Sequence, residues 1–492
     1  MQENGPAGIP LILLTGATGY VGGRLLRRLE ADSQRVRCLA RRPESLLSRV
    51  SQSVEVFEGD ILDPQSLDRA LEGVHTAYYL IHSLSDVGDF AKNDAIGARH
   101  FALAAARRGV HRIIYLGGLG EATSGLSKHL RSRQEVGDIL RGTGVPVVEF
   151  RASMVIGAGS LSFELVRALV EGLPVMITPK WVSIPAQPIA IADVLDYLIA
   201  ALHTPEAESR VFEIGGGDVV SYGGIMRAYG EARRLKRWLI PVPVLTPYLS
   251  SLWLSLVTPV YARVGRSLIE GVRNSTLVRD DSALRVFNVR PMGIRQAIAE
   301  AINSEDHDFE QMRLSEFFAQ AEPSRYWGGV RLGSRVIDTR TARVSAEPED
   351  VFGVICSIGG ADGYFHSDWL WRLRGLLDRM VGGVGMRGDR RSAPEPVVGD
   401  EIDWWRVERV EHNRLLRLRA EMKLPGRAWL DFEVTREGDG TLVRQTAVFD
   451  PLGLSGRLYW WALYPAHNIV FAGMLKGIVE RCSDARPRGN RV

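Results

Sequence analysis

The stretch that most restricts this chain is "LILLTGATGYVGGRLL", Leu11 to Leu26, an apolar run that breaks into glycines and resumes with leucines at helical spacing. The run reads as a buried strand and the leucine spacing as a helix packed on it. Between them, Gly16, Gly19 and Gly22 carry so little side chain that the backbone can turn sharply and come close to a neighbour. Amides at the start of such a helix point outward and, with the helix dipole, favour an anion such as a pyrophosphate. The spacing is G-x-x-G-x-x-G rather than the G-x-G-x-x-G fingerprint, and tight strand–helix turns also need glycine for steric reasons alone. Its place after an apolar strand, at the head of an alternating pattern, favours a nucleotide.

That pattern runs from Pro10 to about Leu202. "LILLT", "RVRCLA", "VEVFEGD", "TAYYLI", "RIIYLGG" and "VPVVEFR" read as strands, with helical segments such as "DPQSLDRALEG" and "GARHFALAAARRG" between them. Strands apolar on both faces belong to a parallel sheet covered by helices, so the expected fold is a doubly wound, Rossmann-type α/β domain. Asp63 followed by Pro64 is a helix-start signal. We place this first domain at 8–302, with a proline- and glycine-rich substrate lobe from about Met154, and a polar connector at 303–332. A second domain follows at 333–484. A strand at "RVIDTRTARVS" and a helix at "PEDVFGVICSI" precede four runs at hairpin spacing, and a long helix closes the chain. In "RLLRLRAEMKL", Leu416, Leu418, Ala420 and Met422 alternate with Arg417, Arg419, Glu421 and Lys423, which predicts a meander with one wet face. This is an α+β layout in which an antiparallel sheet grips a long C-terminal helix.

Composition narrows the function. The 492 residues carry 61 basic and 58 acidic side chains, so no electrostatic case exists for nucleic acid. Cys38, Cys356 and Cys482 are too scattered for a disulfide framework or a metal knuckle, which favours a reducing, cytoplasmic setting and no metal. The N-terminal "MQENGPAGIPLILL" lacks a basic flank and a cleavage site, so it does not read as a signal peptide. Two apolar stretches, Trp238 to Tyr261 and Leu458 to Val479, are interrupted by prolines or by His467, Asn468 and Lys476. They read as buried amphipathic helices rather than spans, and a peripheral membrane-resting surface is the alternative.

About 20 residues past the last glycine, an NAD site offers an acid to the ribose hydroxyls. Here Arg41 and Arg42 stand in that place, a pairing suited to a 2′-phosphate and hence to NADP(H) over NAD(H). A solvated basic turn is the plain alternative. Asp60 reads either as an acceptor for the adenine amine or as an ordinary turn aspartate, with Ile61 beside it. "TGATGYVGG", "EGDILDP", "AYYLIHSL", "FRASMVIGAGS" and "PIAIADV" together make residues 11 to about 300 resemble an atypical, extended short-chain dehydrogenase/reductase of the epimerase-like and NmrA-like kind. The chain is also similar to the nucleotide-binding accessory subunit of respiratory complex I. By that resemblance Thr18, Tyr20 and Val21 lie along the pyrophosphate. Leu80, Ile81 and His82 line the nicotinamide side, and Gly117 follows the fifth strand.

Active members of that family use Tyr-x-x-x-Lys and a serine. At the matching places this chain has His129 and Arg133, and Gly117 or Gly118 for the serine. Arginine stays protonated and suits ribose hydroxyls, whereas histidine is an acid or base near neutral pH, or simply a hydrogen-bonding residue. His82 is a further candidate, while Tyr78, Tyr79 and Tyr115 read as core. Two functions stay open: an oxidoreductase passing hydride between NADP(H) and an apolar carbonyl or alcohol, or a non-catalytic NADP(H)-binding sensor or accessory protein. The second domain resembles helix-grip domains of the START and polyketide-cyclase type, and an uncharacterised domain family fused behind such reductases. The resemblance implies an apolar cavity, for which Trp369, Trp371, Trp404, Trp405, Trp429, Trp460 and Trp461 supply either lining or plain core. His366 and Asp368, two apart as on a strand face, read as structural; His467 lines the cavity or packs beside Tyr464.

Overall fold

The computed structural model describes residues 9–47, 50–81, 90–120, 126–204, 208–242, 274–311, 325–326, 329–332, 334–359, 363–386 and 396–484. Its contacts divide the chain into two compact units, Met1–His307 and Asp308–Val492.

The first unit is built on a seven-stranded, all-parallel sheet of β1 (Leu11–Thr15), β2 (Arg35–Ala40), β3 (Glu55–Glu58), β4 (Thr76–Tyr79), β5 (Arg112–Gly118), β6 (Val147–Ala152) and β7 (Arg210–Ile214), in the order β7-β6-β5-β4-β1-β2-β3. The apolar run of β1 explains its central place. Side chains of a strand alternate between faces, and Ile12 and Leu14 enter one core layer while Leu11 and Leu13 enter the other. The first layer holds Leu25, Leu26 and Leu29 of α1 (Tyr20–Ala31), the second Phe101, Ala102 and Ala105 of α2 (Phe90–Arg107) and Leu140 of α3 (Lys128–Arg141). Asp63 caps the helix Pro64–Ala70 by accepting from the Gln65 amide at 3.0 Å, as the Asp-Pro pair predicts. The lobe after Met154 packs the helices Leu161–Gly172, Tyr222–Ala232 and Ile294–Gln311 around Phe163, Ile225, Tyr229 and Ile298.

In the second unit an eight-stranded antiparallel sheet runs Arg325–Tyr326, Gly329–Leu332, Arg335–Val344, Gly440–Pro451, Gly426–Glu437, Leu415–Ala420, Trp405–Glu411, Glu401–Ile402. The helices Pro348–Cys356, Asp368–Met380 and Gly453–Asp484 share one core with this sheet, including Phe352, Trp371, Leu416, Leu418, Phe432, Met474 and Ile478.

Two expectations from the sequence need correction. Arg417, expected in water, is fully buried. It sits across from Asp431 in the sheet register and binds that carboxylate at 2.7 Å, donates to the Phe309 carbonyl at 2.9 Å, and lies 4.6 Å from the Phe309 ring. A chain segment distant in sequence covers that part of the face, and the cation is tolerated there because every side of it is answered. Second, His366 and Asp368 are not on a strand: Asp368 opens the helix Asp368–Met380 and accepts from the Tyr364 amide at 2.9 Å, while His366 Nδ1 bonds the Ser367 hydroxyl. No cluster of metal-ligating side chains occurs among the described residues.

Among the described residues no helix is long and apolar enough to cross a membrane, the helix containing Leu458 to Val479 included. Of the other apolar stretch, residues 243–261 lie outside the described residues.

Candidate functional site

In a parallel sheet whose order reverses between β1 and β4, a crevice opens at the C-terminal strand ends where the chain leaves in opposite directions. The registers align those ends. Thr15 pairs with Leu39, Ala40 with Glu58, and Leu14 with Tyr78, so Gly16, Arg41, Gly59 and Leu80 leave the sheet on the same edge. Gly16 has φ +74°, and a Cβ there would lie 2.6 Å from the Leu80 carbonyl oxygen. A Cβ on Gly22 would lie 2.2 Å from the Gly16 carbonyl oxygen, and the Gly19 amide donates to that same oxygen at 2.9 Å. The glycines are therefore needed to close the turn, whatever it holds.

What the turn leaves open is the start of α1. Gly19 is its N-cap and no side chain caps it, so the first-turn amides point out of the helix without an intrahelical acceptor. This fits a pyrophosphate, which needs donors, a positive dipole end and close backbone approach. Thr18, Tyr20 and Val21 lie on this turn, although the Tyr20 side chain turns away. A Cβ on Gly157 would meet its hydroxyl, the Arg24 guanidinium sits 4.2 Å from its ring centre, and burial pushes its pKa up to about 12. Arg41 and Arg42 are exposed beyond β2. Asp60 closes a local turn by accepting from the Leu62 amide at 2.9 Å, which occupies one carboxylate oxygen. Ile61 packs toward Gly97 on α2. Leu80 and Ile81 are half-buried at the end of β4, with the Leu80 amide held by the Thr15 hydroxyl at 3.1 Å. His82 lies outside the described residues.

The positions that match the family's tyrosine, lysine and serine lie on β5 and α3. Ser127 caps α3, accepting from the Leu130 amide at 3.3 Å, and His129 and Arg133 follow one turn apart. Arg133 donates to the Leu116 carbonyl, while its buried Nε–H has no hydrogen-bond partner. Burial first, and then the Arg133 charge, hold His129 down to about 4, so its imidazole is neutral at physiological pH. A Cβ on Gly118 would lie 2.8 Å from Leu130, and one on Gly117 3.2 Å from Tyr115, so neither place has easy room for the serine. Tyr78, Tyr79 and Tyr115 are buried in the core, Tyr78 donating to the Leu198 carbonyl.

The second unit holds a cavity of about 430 Å³, inside the range of small-molecule sites. It is lined by the helix Asp368–Met380, the sheet and the long C-terminal helix. Trp371, Trp405, Trp429 and Trp460 line it; Trp404 is buried in the core and Trp369 and Trp461 are exposed, so the tryptophans serve several purposes. His467 lines it too, its ring 5.1 Å from that of Trp460. Nothing in the sequence marks Arg374 or Tyr459, which also reach the cavity, since Arg374 four residues before Asp378 reads as an ordinary helical ion pair.

Through its first unit the chain belongs to the NAD(P)H-binding, reductase/epimerase-like family. Residues 16–145 match the family described as NAD(P)H-binding, and residues 332–474 match DUF2867, a family of unknown function. The chain is similar to the (4-alkanoyl-5-oxo-2,5-dihydrofuran-3-yl)methyl phosphate reductase of Streptomyces griseus, 31% identical across 43% of this chain and 70% of that protein. It is similar to the ceramide reductase of Caulobacter vibrioides, 27% identical across 47% and 74%. In fold it is similar to the triphenylmethane reductase of Citrobacter sp., with a TM-score of 0.50, 17% identity, and 60% and 100% of the two chains covered.

Proposed function

We propose that the protein is an NADP(H)-dependent reductase of an apolar carbonyl compound, and that its second unit holds an apolar ligand. The observation that carries the coenzyme choice is the uncapped start of α1 beside an exposed Arg41 at the adjoining strand end. Amides there take the diphosphate, and the guanidinium takes a 2′-phosphate that an acidic residue would repel. Bound NADPH supplies the hydride. Arg133, permanently charged and with an unanswered Nε–H, holds ribose hydroxyls. His129, neutral above about pH 4, acts as an N–H donor that polarises the carbonyl rather than as an imidazolium acid. The similar reductases are named for an alkanoyl-substituted furan phosphate and for a ceramide, which favours an apolar substrate here.

The test is calorimetry with NADPH and NADH, followed by NADPH consumption across aldehydes and ketones of increasing chain length. Turnover that His129→Ala abolishes, with coenzyme affinity kept, supports the reading. The absence of Tyr-x-x-x-Lys favours one other reading, a coenzyme-binding sensor. Tight binding with no turnover on any carbonyl would select it.

A further inference from the structure

The polar groups in the cavity of the second unit are not a random selection. Arg374 lies on the helix Asp368–Met380, half-buried at the cavity wall. Its Nε donates to the Met422 sulfur at 3.2 Å and one terminal nitrogen to the Tyr459 hydroxyl. Neither partner carries charge. The carboxylate one turn along, Asp378, is spent elsewhere, accepting from the amides of Gly385 at 2.8 Å and Lys423 at 2.7 Å. Arg340, the other cation near His467, is answered by Asp338 at 2.7 Å. Among the described residues the charge on Arg374 therefore has no counter-ion, against a wall that is mostly apolar; the other cation of the lining, Lys423, is exposed and its ammonium donates to the Val381 carbonyl at 3.0 Å. A half-buried guanidinium with no carboxylate in reach, set in a largely apolar wall, is solvated only in part and is open to an anionic partner.

The unsatisfied indoles point the same way. Trp371 and Trp429 line the cavity, and their buried indole nitrogens have no hydrogen-bond partner. Indole nitrogen only donates. The Nδ1 of His467 is also buried without a partner and, in a neutral imidazole, donates or accepts according to the tautomer, so it sets no preference of its own. With both oxygens of Asp378 already accepting from backbone amides, the cavity offers indole donors and the cations Arg374 and Lys423, and asks for acceptors and negative charge. Its mouth asks for something different: Leu373, Leu377 and Val381 line the cavity and are 45%, 54% and 59% exposed, an apolar rim in water.

We propose that this cavity binds a single-chain amphiphile with an anionic head, the head seated on Arg374 with Tyr459 steadying the guanidinium, and the chain lying along the tryptophan-lined wall. The inference rests on the apolar-ligand reading of the second unit and adds the head-group chemistry. A carboxylate matches the guanidinium fork, which is why a carboxylic acid is the probe.

The experiment titrates the full-length protein with cis-parinaric acid and with its methyl ester, both below aggregation, reading energy transfer from the cavity tryptophans. The acid is expected to bind at least about tenfold more tightly than the ester. Arg374→Met should bring the acid down to the ester's affinity and leave the ester within about twofold, which also shows that the cavity is intact; Arg374→Lys should keep part of the preference. Equal binding of acid and ester by the native protein, or equal loss of both in Arg374→Met, overturns the head-group assignment and leaves the apolar cavity standing. Failure of both probes to bind overturns the cavity reading together with it.

Discussion

At the scale of single residues, the glycine turn shows how one feature serves two demands. Gly22 sits so close to the Gly16 carbonyl that no side chain fits. Gly22→Ala should therefore lower the melting temperature as well as coenzyme affinity, and native melting and NADPH binding in that variant would contradict the geometry. Arg41 makes the separable case, exposed and outside the packed turn. Arg41→Ala should weaken NADPH at least about tenfold and leave NADH nearly unchanged, measured by calorimetry; equal losses would remove the 2′-phosphate assignment. His467 gives a pH dependence. Burial first, and then the nearby Arg374 and Arg340 charges, hold it down to about 4 in the folded protein, against about 6.5 when unfolded. As pH falls below the unfolded value the unfolded chain takes up the proton first, so stability is complete above about pH 6.5 and is lost toward pH 4. The loss is on the order of 1–3 kcal/mol, and His467→Leu should flatten the fall in melting temperature across that window. An unchanged slope would place the acid sensitivity elsewhere.

At the scale of elements, period was a good guide wherever one face met one core. The six strands read from Leu11 to Arg151 are present, as are the four runs of the meander. Period failed at the strand Leu415–Ala420, where alternation sorted leucines from arginines correctly but assigned the arginine face to water. Phe309, more than a hundred positions earlier, covers Arg417. Removing one member of such a buried pair strands the other charge, so Arg417→Met should cost roughly 3–5 kcal/mol in urea unfolding. Replacing both, as in Arg417→Met with Asp431→Leu, should recover most of that; a double variant as unstable as the single would show that shape and not charge is what Arg417 supplies.

On the whole-molecule scale, the chain holds two units with separate cores, and contacts divide it after His307. The polar composition from Asn303 onward suggests a connector, yet residues through Gln311 continue a helix, and Phe309 joins Ile337, Trp429 and Val448 in a small cluster of the second unit. A piece beginning at residue 333 lacks Phe309. It should melt below one beginning at residue 303, and equal melting would mean that the cluster adds no stability.

What the sequence determined alone was local and periodic: the parallel α/β sheet, the glycine turn at Gly16, the basic pair after the second strand, and the meander with its final helix. Each is written in neighbours or in a repeat of two or three to four residues, so a window of sequence holds the signal. Tertiary structure decided which charges are answered. Asp378 turns to the Gly385 and Lys423 amides instead of Arg374, and Asp431 takes Arg417 out of water. Both outcomes depend on which distant groups arrive within about 3 Å, and side-chain charge has no period to read.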